Sequence, residues 1–156
     1  MLLIKVNYFV TFLTLLPLVV CQLPPGHFYI RNSAFNNEVL AASEPAPNSK
    51  VVIEPINNSR TNLEVWNFNS IGGNELFDIV LQNSNFHLSV VNNQVVISLN
   101  PFSWRVTHTG DNLYELSPVN QALIHNNLNA GTSSSRQEVN LAPPNDLNTQ
   151  KWIIHP

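Results

Sequence analysis

Ile71-Gly72-Gly73-Asn74-Glu75-Leu76-Phe77-Asp78-Ile79 couples a glycine turn to an apolar run with an aromatic residue in it. The chain does this again at Thr109-Gly110-Asp111-Asn112-Leu113-Tyr114-Glu115-Leu116. Each turn follows a tryptophan-bearing segment, so the two turns cut the chain into three units. The first runs from Phe28-Tyr29-Ile30 to Trp66, the second from Phe77 to Trp104, and the third from Tyr114 to Trp152. The spacings are 38, 27 and 38 residues. A recurring interval of this size marks one supersecondary unit used repeatedly.

Inside each unit the pattern is that of strands. Short runs of Val, Ile, Phe, Tyr and Leu are bounded by Asn, Gly, Pro and Ser. Examples are Val51–Glu54, Leu76–Leu81, Val95–Leu99, Trp104–Thr107, Ala122–Ile124, Val139–Ala142 and Trp152–Ile154. Asn92-Asn93 signals a tight hairpin, because asparagine accepts positive φ. No window carries a sustained helical apolar stripe. The total is eleven or twelve strands, about four per unit. A propeller needs at least four blades, and there is room for three. The pattern therefore predicts an all-β fold, a β-trefoil. Six strands close a barrel without free edges, and three hairpins cap it. Trp66, Trp104 and Trp152 become core residues, one per unit, near the bottom of the barrel.

Residues 1–21 stand apart. Lys5 precedes an apolar run from Tyr8 to Val20, 13 residues long and short for a bilayer span. Val19-Val20-Cys21 offers a cleavage region, so 1–21 reads as a secretory signal peptide. The remaining residues, 22–156, make one domain of 135 residues, long enough to bury a core. Cys21 is the only cysteine, which excludes a disulfide framework and a cysteine nucleophile from that domain. Residues 22–156 carry six basic and ten acidic side chains. No basic footprint for nucleic acid or anionic membrane is present. The expectation is a secreted, extracellular protein, free of membrane once the signal is cleaved.

The opening Gly26-His27-Phe28-Tyr29-Ile30-Arg31-Asn32 and the closing Gln150-Lys151-Trp152, a Gln-x-Trp motif occurring once, resemble the β-trefoils of the ricin-B-like lectin superfamily. Pro101-Phe102-Ser103-Trp104-Arg105-Val106-Thr107, Gly110 to Tyr114, and Pro143-Pro144 bring the chain nearer to the fungal cospin-type protease inhibitors, with the mycocypins as cousins. The resemblance implies a protease inhibitor, of serine endopeptidases first and cysteine proteases second, acting through the loop after the second strand. Here that loop is Ser43–Lys50, with Pro47, Asn48, Ser49 and Lys50 as the inhibitory residues. Its prolines fix φ and hold their neighbours extended, a shape a protease cleft accepts with little entropy lost.

The alternative is a carbohydrate-binding lectin. Such a site usually needs a carboxylate early in a unit, since charged acceptors bind hydroxyls strongly. Leu40-Ala41-Ala42, Phe86-His87-Leu88-Ser89 and Gln121-Ala122-Leu123-Ile124 offer none, so any sugar site is non-standard, with His125, Asn126 and Asn127 as candidates. The five histidines have no ligand spacing, no carboxylate pair suits glycoside hydrolysis, and no Gly-x-Ser-x-Gly elbow exists. The expectation is a protein that is not an enzyme, with no metal and no cofactor. Asn57-Asn58-Ser59 is an N-glycosylation sequon.

Overall fold

A computed structural model describes residues 23, 26–35, 37–119, 126–131 and 136–156. Residues 1–21, expected to be a signal peptide, the expected strand Ala122–Ile124, and His125 lie outside the described residues.

The first unit holds strands β1 (His27–Asn32), β2 (Glu38–Ala42) and β3 (Val51–Pro55), one helical turn α1 (Thr61–Glu64), and β4 (Val65–Gly72). The second holds β5 (Leu76–Leu81), β6 (His87–Val91), β7 (Gln94–Ser98) and β8 (Ser103–Gly110). The third holds β9 (Leu113–Pro118), β10 (Asn127–Asn129), β11 (Gln137–Glu138), β12 (Asn140–Ala142) and β13 (Trp152–His155), with a 3₁₀ turn at Asn148–Gln150. Glu38–Ala42 is a strand the sequence did not announce. Two alanines weaken its propensity, and pairing with β1 on one side and β3 on the other decides the matter.

Six strands form a ring of antiparallel pairs: β1 with β4, β4 with β5, β5 with β8, β8 with β9, β9 with β13, and β13 back to β1. The hairpins β2–β3, β6–β7 and β10–β12 close one end. This is the β-trefoil expected from the sequence. Its two inter-unit turns match in detail. Each carries a register shift on its strand pair, between Ser70 and Gly72 and between His108 and Gly110.

The tryptophans express the threefold order most directly. Phe28 pairs with Trp66, Phe77 with Trp104 and Tyr114 with Trp152. All three indoles are fully buried. Each Nε1–H donates to a leucine carbonyl in the second strand of its own unit: Leu40 at 2.9 Å, Leu88 at 2.7 Å and Leu128 at 3.1 Å. A buried indole must place its N–H, and here it fastens the barrel wall to the capping hairpin. Leu128 is therefore the counterpart of Leu40 and Leu88. The third-unit stretch to compare is Asn127-Leu128-Asn129, which corrects the sequence alignment at Gln121–Ile124.

Asparagine abundance is turn chemistry. Of the non-glycine residues at positive φ, Asn48, Asn83, Asn92, Asn93 and Asn112 are asparagines, and Asp111 is their acidic relative. Asn92 and Asn93, at φ 51° and 63°, make the hairpin turn that their sequence predicts. Arg136, at φ 61°, lacks that excuse; its ion pair is described below.

Candidate functional site

The three capping hairpins are sewn to one another. Lys50 bridges to Val96 of the second unit, β11 pairs with β3, and the Lys50 ammonium meets the Glu138 carboxylate. A cleft of about 270 Å³ remains between them, lined by Lys50 from the first unit, Asn93, Gln94 and Val95 from the second, and Gly131 and Gln137–Asn140 from the third. Four amide side chains (Asn93, Gln94, Gln137 and Asn140) stand around the buried Val95 and Val139. Asn140 accepts from the Nδ2 of Asn129, its cross-strand partner, at 2.8 Å. One step after the three leucines stand Ala41 and Ser89, each within a stretch searched above for a sugar-binding carboxylate, and Asn129 at the equivalent place in the third unit. Only the third is an amide that pairs towards the cleft wall. Sequence spacing missed it because the leucine-to-tryptophan interval differs in every unit.

The Ser43–Lys50 loop is less free than the sequence suggests. Ser43 N–H donates to the Lys50 carbonyl at 2.9 Å, closing its base. Ala46, Pro47, Asn48 and Ser49 form a turn, with Ser49 N–H on the Ala46 carbonyl at 3.1 Å. Proline second and a positive φ of 62° at Asn48 third fit a type II turn. Asn48 N–H then donates to Ile97 and Ile97 N–H to Ser49, at 2.8 and 2.9 Å. The backbone of Asn48 and Ser49 is thus committed to β7, and the Lys50 side chain to Glu138. Of the four expected inhibitory residues, Pro47 lies on the arc Glu44–Pro47, whose Glu44, Pro45 and Pro47 are exposed, while Asn48 and Lys50 are exposed with the commitments just described.

Two arginines hold the base of this loop. Arg60 Nη1 donates to Glu54 Oε2 at 2.7 Å, and Arg136 Nε approaches the same oxygen at 3.5 Å. Both guanidinium groups also donate to the Ser43 carbonyl, at 3.0 and 2.8 Å. The Glu54 side chain is only 6% exposed. Asn127, expected near an open polar site, is buried with its amide on Glu115 Oε2 at 3.1 Å. Among the described residues no group of three His, Cys, Asp or Glu side chains could hold a metal.

The motif glutamine is a clamp. Gln150, fully buried, accepts from Asn145 N–H at 3.0 Å and donates to the Pro143 carbonyl at 2.8 Å. Glu64 stands at the same place, two residues before Trp66. Both its oxygens accept from Asn57 N–H at 3.1 Å, but a carboxylate cannot donate to Pro55, the counterpart of Pro143. Burial pushes the Glu64 carboxyl above the usual carboxylate range. The Asn57 N–H opposes this, nearby Glu54 adds to it and Arg60 lowers it. A carboxyl raised on folding favours the native state below its unfolded value and loses that advantage as pH rises through its folded value. Glu64→Gln is therefore expected to gain about 1 kcal/mol near neutral pH and to flatten the pH dependence above the carboxylate range. Urea melts at several pH values would read both. A neutral-pH loss would show that the charge is needed.

No family model matches the chain, and no curated protein does. Solved structures do. The designed threefold-symmetric protein ThreeFoil superposes with a TM-score of 0.74 at 14% identity, covering 83% of this chain and 98% of that one. The Rhizoctonia solani agglutinin gives 0.71 at 16% identity, over 85% and 96% of the two chains. The Macrolepiota procera ricin B-like lectin, solved with lactose, gives 0.69 at 19% identity, over 85% and 97%. At these identities the likeness establishes the β-trefoil fold.

Proposed function

We propose that the protein is a secreted carbohydrate-binding β-trefoil that takes a sugar in the cleft between its three capping hairpins. The observation that carries this is the amide-lined cleft itself. Amide side chains donate and accept at neighbouring atoms, as sugar hydroxyls do. The Lys50–Glu138 pair supplies charged partners, which bind hydroxyls more strongly. At about 270 Å³ the cleft lies near the lower end of small-molecule sites, roughly 300–1,000 Å³, which suits one ring rather than a long chain. A similar fold that was solved with lactose favours the same ligand class. Nothing in this chemistry calls for catalysis, and the protein is read as a binder.

Isothermal titration of residues 22–156 with single sugars and lactose tests it. Asn140→Ala and Gln94→Ala are each expected to weaken binding about tenfold, one hydrogen bond's worth. Both residues are exposed, so Gln94→Ala should leave the melting curve in place, and Asn140→Ala, which gives up the exposed hydrogen bond from Asn129, should lower it only slightly. Absence of binding across a glycan array, or binding indifferent to both changes, would sink the proposal.

Serine-protease inhibition is the second reading, favoured by one observation: the arc Glu44–Pro47 has Glu44, Pro45 and Pro47 exposed beside a base held by Arg60 and Arg136. The contact would then be made by that arc, with Pro47 and without the backbone of Asn48 or Ser49. Stoichiometric inhibition in a protease panel, lost when Pro45 and Pro47 become glycine, would favour it over sugar binding.

A further inference from the structure

We propose that Asn57 carries a single N-linked oligosaccharide that covers the hollow beside the arginine-held loop base. Asn57-Asn58-Ser59 is the one such sequon among 24 asparagines, so its occupancy reads as one step. The local geometry is fixed from three sides. Both Glu64 oxygens hold the Asn57 backbone N–H at 3.1 Å, the Asn57 carbonyl accepts from Arg60 N–H at 2.7 Å, and its Oδ1 accepts from Ser59 N–H at 3.0 Å. The oxygen end of the amide is thereby anchored, and Nδ2 makes no hydrogen bond among the described residues. The residue is exposed, so a substituent on Nδ2 displaces nothing from the core.

The fold contains its own comparison. Asn145 is held by Gln150 as Asn57 is by Glu64, and its Oδ1 likewise accepts from the N–H two residues on, Leu147, at 3.0 Å. Leucine there supplies no hydroxyl, so only the first-unit corner can be modified. Asn57 also borders a hollow of about 360 Å³ with Glu54, Pro55, Ile56, Arg60 and Arg136. Ile56 is 43% exposed, an apolar surface that the first sugar rings would shield, along with the anchor of the Ser43–Lys50 loop.

The donor is a polyisoprenyl-pyrophosphate-linked oligosaccharide. Asn57 Nδ2 forms a bond to the anomeric carbon, the bond from that carbon to the pyrophosphate oxygen breaks, and the pyrophosphate leaves with the electron pair. The amide proton passes to a base of the transferase. The proposal rests on entry directed by residues 1–21 and is independent of the sugar cleft.

The full 156-residue chain translated with endoplasmic-reticulum microsomes decides it. The expected result is one mobility step, reversed by peptide N-glycosidase, with deamidation of Asn57 in the released peptide's mass. Asn57→Gln should abolish the step. Ser59→Ala should abolish it too, while leaving Asn57 and its turn in place. A translocated chain unmodified at Asn57, a chain left outside the microsomes, or a step that survives Asn57→Gln would each overturn the proposal.

Discussion

Trp104→Ala is expected to destabilise the protein by about 3–5 kcal/mol, and Trp66→Ala and Trp152→Ala by similar amounts. Each indole is fully buried, so truncation leaves a cavity that neighbours fill only in part. Each also satisfies a leucine carbonyl in a capping hairpin. Losing that donor strands a buried acceptor, at about 1–3 kcal/mol, some of which water entering the cavity recovers. Domains of this kind are stable by about 5–15 kcal/mol in all, so one such change consumes a large share. Chemical denaturation of the three variants would measure it. Only Trp152 lies in a Gln-x-Trp motif. If only Trp152→Ala were costly, the equivalence of the three units in energy would be wrong, whatever their equivalence in shape.

Arg60→Ala should cost about 3 kcal/mol, the lower part of the range for breaking a buried ion pair. Among the described residues, the Glu54 carboxylate, 6% exposed, would keep only Arg136 Nε at 3.5 Å from Oε2. The Arg136 side chain is 49% exposed, so solvent weakens what it offers. Arg60 also donates to the carbonyls of Ala42 and Ser43, which fixes where the loop leaves β2. Faster proteolysis within Ser43–Lys50 should therefore accompany the loss. Arg60→Lys keeps the charge but not the fork of donors and should fall between. Adding Glu54→Ala to Arg60→Ala should recover much of the stability, because the stranded charge goes with it. A double-mutant cycle that came out additive would mean the two groups are not coupled.

Much of the barrel is legible in the sequence because it rests on local signals. Phe77 and Tyr114 lie in strands that alternate between core and outside, and the glycines of the two inter-unit turns sit at the register shifts. The cap is less legible. Glu38–Ala42 has weak strand propensity and is held by its neighbours. In the third unit, Ala122–Ile124 looks more strand-like than Asn127-Leu128-Asn129, yet the latter receives the Trp152 indole. The candidate cleft is the least legible part. Lys50 and Glu138 meet from 88 residues apart, and Ser43 and Arg136 from 93. Two prolines mark the loop between Ser43 and Lys50 in the sequence, but nothing local reveals that the backbone of Asn48 and Ser49 is bonded to β7. Gln150 is readable as a motif, whereas its partner Glu64 is recognisable only once both are seen gripping the same corner.

The pairing of β1 with β13, Tyr29 opposite His155 and Asn32 opposite Trp152, is one seam among six in the ring. The barrel has no intrinsic first strand. A circularly permuted gene that opens at the Gly73 turn and joins the old ends through a short linker would thread the units in the order two, three, one around the same axis. Where translation starts is, for this architecture, a matter of genetics rather than of geometry.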